Sequence, residues 1–190
     1  MIITIARQCG CGAIHVGELL ASDYQIPFYT RQDLLEMARE KGVSENLEDF
    51  FDERPVNDLI FAMSSYGEMR EQTTEKPLRI LTDMIGEKSC IIIGRCGNHI
   101  FRHRKDLVSV FLRGYKKDRL ANICKEQQMS ENDAMDFIEH MDDCRATYHK
   151  YYTGLIWGNA NDYDLCLNCT RLGYENTAMM IEQYVKNTGV

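Results

Sequence analysis

The chain is built on an alternation of short apolar runs with segments of helical length. Ile2–Ile5, Ile26–Tyr29, Cys90–Ile93, Leu107–Leu112 and Tyr163–Leu167 read as strands. Runs that stay apolar on successive positions suit strands buried on both faces. The segments between them carry helical patterns. Val16–Ala21 places Val16, Leu19 and Leu20 on one face, and Gln32–Lys41 is followed by Gly42 where a C-cap falls. Leu78–Ile85 spaces Leu78, Leu81 and Ile85 by three and four, and Lys116–Gln127 is also helical. Ser130 with Asp133 resembles an N-terminal cap and opens a helix expected to reach Tyr151. Tyr174–Lys186 aligns Tyr174, Ala178, Ile181 and Val185. Between Ser44 and Ser65 the pattern allows one or two helices, interrupted near Pro55. Strands joined by helical crossovers predict an α/β fold with a parallel sheet covered on both faces. Ligands in such sheets bind at the carboxyl ends of strands. That rule singles out Ala6–Ala13, Gly94–Asn98 and Arg113–Lys117.

The 190 residues suit a single domain, and no repeat or linker divides them. A net charge of -7 argues against coating a nucleic acid, yet permits a phosphate site built from a few cations and backbone N–H groups. No apolar run is long enough to span a membrane. The N-terminus enters a strand without a basic-then-apolar leader, so no membrane association and a cytoplasmic location are expected. The eight cysteines are expected to be reduced thiols. A metal or redox pair at Cys166-x-x-Cys169 is the alternative, but the only other close pair, Cys9-x-Cys11, lies at the far end of the sequence; no metal site is expected.

The first strand runs into a helix through Ala6-Arg7-Gln8-Cys9-Gly10-Cys11-Gly12-Ala13-Ile14-His15. Small residues let backbone N–H groups face a concavity, and the helix N-terminus adds partial positive charge. The strict phosphate-loop pattern G-x-x-x-x-G-K-[ST] does not match. Laid on this stretch, it puts Gln8 and Ala13 at the glycines, Ile14 at the lysine and His15 at the hydroxyl residue. From the turn alone, a ligand-free strand-to-helix connection is as good a reading.

Several stretches in order resemble the cytidylate-kinase-like family of P-loop proteins, relatives of the nucleoside-monophosphate kinases. Ile3-Thr4-Ile5-Ala6-Arg7-Gln8-Cys9-Gly10-Cys11-Gly12 is similar to that family's I-T-I-S-R-x-x-G-S-G opening. Ile26-Pro27-Phe28-Tyr29-Thr30-Arg31 looks like its I-P-F-Y-D-R segment, and Ile92-Ile93-Gly94-Arg95-Cys96-Gly97 like its V-I-V-G-R-C-A. Arg145-Ala146, Tyr148, Tyr151–Gly154, Trp157-Gly158 and Asn161–Leu165 are similar to its C-terminal half.

The resemblance implies a P-loop sheet with a small acceptor arm, about residues 30–86, and a lid, about residues 114–152. It implies a nucleotide-binding phosphotransferase that uses ATP and Mg²⁺ to phosphorylate a nucleoside monophosphate or similar small acceptor. The alternative is a weakly active or inactive nucleotide-binding relative; a thiol-based role is a third. ATP would lie on Gly10, Cys11, Gly12, Ala13, Ile14 and His15. Related kinases carry a lysine and a hydroxyl residue where Ile14 and His15 stand, and an Asp after the Gly-Arg where Cys96 and Gly97 stand. Arg7 is the candidate substitute cation, with a structural salt bridge as its plainer role. Arg31 and Asp33 begin the implied acceptor arm, although Asp33 also suits a helix N-terminus. Arg95 stands at a strand's carboxyl end, aimed at the crevice. Arg119 and Arg145 are candidate clamps on the transferring phosphoryl group, with Asp143 as their partner. Trp157 is expected to anchor a loop or pack in the core, and Asn168 and Thr170 lie where an adenine might rest.

Overall fold

The structure is a computed structural model and describes residues 1–51 and 71–190. β1 (Ile2–Arg7) lies in the middle of a parallel sheet with β2 (Phe28–Tyr29), β3 (Cys90–Ile93), β4 (Leu107–Arg113) and β5 (Leu165–Asn168). The strand order is β2-β3-β1-β4-β5. Register follows from Ile3 opposite Ile91 on one side and opposite Val108 on the other. β1 is apolar at alternate and intervening positions because each face meets its own core.

On one face Ile2, Cys90 and Ile92 pack with Leu34 and Ala38 of α2 (Arg31–Glu40), Phe50 and Phe51 of α3 (Glu48–Phe51), and Leu81 and Ile85 of α4 (Lys76–Ile85). On the other, Ile3, Ile5, Ile91 and Ile93 pack with Val16 and Leu20 of α1 (Ala13–Tyr24). Ala178 and Ile181 of the C-terminal helix, Tyr174–Thr188, complete that second core. Side chains of successive strand residues point to opposite faces, so neighbouring isoleucines serve separate cores.

A smaller cluster joins α6 (Lys116–Gln127) to α7 (Glu131–Thr153), with Ile123, Ala134 and Ile138 enclosing Cys9. Short helices α5 (Gly97–Ile100) and α8 (Cys169–Leu172) follow β3 and β5, and α9 is Tyr174–Thr188.

The α/β expectation holds. Several boundaries shift by a few residues, and three of the shifts have a visible cause or consequence. α1 starts at Ala13, not Val16, because Gly12 adopts a left-handed φ of 64° and ends the turn there. β5 begins at Leu165, not Tyr163. Tyr163 follows a 3₁₀ turn at Ala160–Asp162 and packs on Phe111 at 5.2 Å instead. The helix from Ser130 continues to Thr153, past Tyr151. Of the helices expected between Ser44 and Ser65, the part beyond Phe51 lies outside the described residues. Among the described residues, no helix is long and apolar enough to cross a membrane.

Candidate functional site

The turn after β1 is held from outside by polar contacts. Gln8 N–H donates to the Leu112 carbonyl at 2.9 Å, and its side-chain oxygen accepts from Gly114 N–H at 3.1 Å. Asn122 of α6 donates to the Gly10 carbonyl at 2.9 Å. Arg119 donates to the Cys9 carbonyl at 3.2 Å and to Asp142 at 2.6 Å. The other Asp142 oxygen accepts from Cys9 N–H at 2.6 Å. α6 and α7 thus grip the loop by two carbonyls and one N–H. Gly10 has φ 78°, and a side chain there would meet the Arg119 carbonyl oxygen at 2.6 Å. At Gly12 a Cβ would strike the Tyr174 ring.

Gly12 caps α1 without a side-chain acceptor, and the first turn of α1 has no acidic residue. A 12-residue helix whose first N–H groups lack a cap favours an anion at that end. This geometry moves the motif by one residue. The second glycine of the pattern is Gly12, in its left-handed turn, and the lysine position is Ala13, the first helical residue. Ile14 takes the hydroxyl position. Neither expected functional group is present in this register either. Ala13 is buried, whereas Ile14 is half-exposed. His15 faces outward, its ring 5.0 Å from that of Tyr174 and its Nδ1 3.7 Å from Glu18.

A crevice opens at the carboxyl ends of β1 and β3. Its wall includes Thr4, Arg7, Gly94, Arg95, Arg145 and His149. It lies at the point where the strand order reverses about β1, where open α/β sheets place ligands. Arg7 reaches across to the β3 turn, where its Nη1 lies 2.4 Å from the position of a Cβ on Gly94; only glycine leaves room for that guanidinium. Arg145 projects from α7, and the Nε and Nη1 atoms of its guanidinium are buried without a hydrogen-bond partner among the described residues. Its nearest carboxylate contact is Asp142 at 4.0 Å. Buried donors of this kind are costly unless something accepts from them.

Arg95 is buried and donates to the Phe50 carbonyl at 2.7 Å, with its guanidinium 4.7 Å from the Tyr148 ring centroid. Tyr148 donates to that same carbonyl at 2.8 Å. Trp157 also borders the crevice and packs edge-on against Phe111 at 5.3 Å, as the anchoring role expected.

Burial pushes His149 down to about 4, aided by His99 and opposed by Asp162. His99 falls to about 4 for the same first reason, with Arg102 and His103 adding to it. Both imidazoles are therefore neutral near pH 7. Burial also pushes the Cys96 thiol up to about 12, against a smaller opposing effect of Arg95.

The crevice brings together Arg7, Arg95 and Arg145. It does not include Arg119, which is committed to Cys9 and Asp142. Arg31 is exposed and donates to the Phe51 carbonyl at 3.0 Å. Asp33 closes a capping box with Thr30, accepting from its N–H at 2.7 Å, which is a helix-start role. The carboxylate paired with Arg119 and Arg145 is Asp142, not Asp143, which is exposed on the next position round the helix. Asn168 and Thr170 bond one another at 3.1 Å, and Thr170 also accepts from Tyr115 N–H at 3.0 Å. Asp142 and His149 were not singled out in the sequence. Ile138, Asp142, Arg145 and His149 fall four, three and four apart, on one helical face, and that spacing was the available signal.

Solved structures that share this fold include small kinases. A shikimate kinase from Bacteroides thetaiotaomicron is 17% identical over 98% of each chain, with a TM-score of 0.54. A gluconokinase from Sinorhizobium meliloti 1021 is 12% identical over 98% of this chain and 94% of that one, with a TM-score of 0.57. An uncharacterized protein from Eubacterium ventriosum ATCC 27560 is 26% identical over 98% of each chain, with a TM-score of 0.75. No curated protein matches. The chain belongs to the cytidylate kinase-like family, whose model matches residues 2–171. A kinase-like family on this fold supports a nucleotide-binding phosphotransferase.

Proposed function

We propose that the protein transfers a phosphoryl group from ATP to a nucleoside monophosphate or a similar small acceptor that carries a phosphate of its own. The observation that carries this reading is the Arg145 guanidinium, whose buried Nε and Nη1 have no acceptor among the described residues, on a crevice that Arg7 and Arg95 also line. Planar guanidinium groups match a phosphate bidentately. The triphosphate would lie on the uncapped N-terminus of α1, with the backbone N–H groups of Gly10–His15 around it. Phosphoryl transfer then needs positioning and charge stabilisation more than covalent participation by the protein. Arg7, at the end of β1 between turn and crevice, is placed to share charge between donor and acceptor.

The donor set fits a triphosphate better than it fits a protein-held Mg²⁺. Ala13 and Ile14 offer no metal ligand, and among the described residues no cluster of three His, Cys, Asp or Glu side chains is arranged to hold an ion. In P-loop kinases Mg²⁺ neutralises charge on the bound phosphates; here the arginines are the cations in place.

The test is ADP formation from ATP, with Mg²⁺ supplied, against a panel of nucleoside monophosphates. Turnover with one of them is expected. Arg145→Ala should then weaken apparent acceptor affinity about ten- to hundredfold, the effect of losing one charge-assisted bond worth roughly 1.5–3 kcal/mol. An unchanged acceptor KM would remove the crevice from the account.

A second reading, nucleotide binding without turnover, is favoured by the same register: the lysine and hydroxyl positions hold Ala13 and Ile14. A melting temperature that rises with ATP, with no ADP formed from any acceptor, would select it.

A further inference from the structure

Two thiols that the crevice does not use meet behind the phosphate loop. Cys11 is in the loop and Cys169 is the first residue of α8, where β5 ends. Both are free and wholly buried, at 1% and 0% exposure. Both belong to the same buried cluster, where each thiol influences the other's proton. They also converge on one peptide group. The Cys169 thiol donates to the Arg113 carbonyl oxygen at 3.2 Å, and Cys11 Sγ lies 3.2 Å from where Gly114 would carry a Cβ. The other six cysteines are placed differently: Cys124 packs in the cluster around Cys9, and Cys144 of α7 lies 3.5 Å from His140. Cys9 packs against α6 and α7, Cys90 and Cys96 belong to the opposite core, and Cys166 is exposed on β5.

The Cys169 thiol is lowered by the neighbouring Cys11 and then by backbone N–H groups at the start of α8. Cys169 in turn pushes the Cys11 thiol up, with burial adding to it.

We propose that Cys11 and Cys169 are the site of a reversible disulfide, formed by hydrogen peroxide, that fastens the phosphate loop to the end of β5. In the first step Cys169 loses the proton it donates to the Arg113 carbonyl, and its thiolate attacks one peroxide oxygen. The O–O bond breaks, hydroxide leaves and takes up a proton, and the sulfur becomes a sulfenic acid. In the second, Cys11 sulfur attacks the Cys169 sulfur. The S–S bond forms, the S–O bond breaks, and the hydroxyl leaves as water with the Cys11 proton. Two thiols and one peroxide give one disulfide and two waters, two electrons passing from sulfur to oxygen. Peroxide is close to water in size, which suits an oxidant that must reach buried sulfurs through local opening.

The cross-link holds Cys11 between Gly10 and Gly12, the two residues whose left-handed conformations shape the turn. What it does to phosphate binding rests on the function proposed above; the cross-link itself does not.

The test is a peptide map of the intact protein after peroxide treatment, alkylation and tryptic digestion without reductant. Peptide 8–31 carries Cys9 and Cys11, and peptide 151–171 carries Cys166 and Cys169. The expected product is these two peptides joined, with fragment ions assigning the link to Cys11 and Cys169 and with dithiothreitol separating them. The link should persist in Cys166→Ser, which removes an exposed sulfur and leaves both cores intact. A link through Cys9 or Cys166, or Cys11 and Cys169 both recovered alkylated while Cys166 is oxidised, would overturn the proposal. ATP is absent from this experiment, so its outcome stands apart from any failure of nucleotide binding.

Discussion

Asp142 and Asp143 show how much one position round a helix decides. Asp142 is partly buried and ties Arg119 to the Cys9 N–H, whereas Asp143 is exposed. Asp142→Ala leaves the buried Arg119 guanidinium without its carboxylate and should cost about 3 kcal/mol in urea denaturation, the scale on which broken buried pairs fall. Asp143→Ala should stay within about 0.5 kcal/mol of the parent. Equal effects of the two would disprove the assignment. The histidines make a second residue-scale prediction. His99 and His149 are held near 4, against an ordinary value of 6.5. Above 6.5 both are neutral whether the chain is folded or not, and this contribution to stability is fully present. As pH falls from 6.5 toward 4 the unfolded chain takes up protons that the folded chain refuses, so stability declines. The urea midpoint should therefore fall between pH 7 and pH 5, and His149→Gln should make that fall shallower. An unaltered slope in the variant would remove His149 as a cause.

Among the elements, the phosphate loop is the one in which backbone shape and packing act together. Gly10 and Gly42 have nearly the same left-handed φ, 78° and 68°, but only Gly10 faces a backbone atom, the Arg119 carbonyl at 2.6 Å. Alanine at Gly42 meets nothing within 4 Å and should cost only the conformational penalty of about 1–2 kcal/mol. Alanine at Gly10 should cost clearly more, because α6 has to shift as well. Thermal melting of the two variants checks this, and similar losses would show that the loop yields more easily than its contacts imply. The element scale also shows what the sequence could carry. β1, β3 and β4 were legible because apolar runs of β-branched residues have few other homes. α5 and α8 were not, since helices of four residues are too short to show a period. The motif register was misplaced by one because spacing was matched without knowing which glycine turns left-handed; Gly12 does and Ala13 does not. Arg7 and Arg95 fell under the strand-end rule and Arg145 came from the family resemblance, but the partners of Arg119 and Arg145 needed the phase of α7 relative to the loop.

The whole molecule is organised by the sheet, which separates two cores and leaves α7 to connect the crevice to α3. Arg95 and Tyr148 both donate to the Phe50 carbonyl, and Arg31 donates to its neighbour Phe51. Tyr148→Phe removes one of these donors and should cost about 1 kcal/mol. Its amide exchange signature should be faster exchange across Leu47–Phe51, with little change in α1. Uniform acceleration through both cores would mean that the tyrosine supports the sheet rather than this junction. The Phe50 carbonyl has a further consequence. An anion held at the proposed site would share the Arg95 guanidinium with it. An anion that drew the Arg95 Nη1 proton to itself would loosen the chain at Phe50, and by thermodynamic reciprocity a substitution that loosened the chain at Phe50 would strengthen the anion's hold. Occupancy of the crevice and order in the neighbouring chain are then two readings of a single equilibrium.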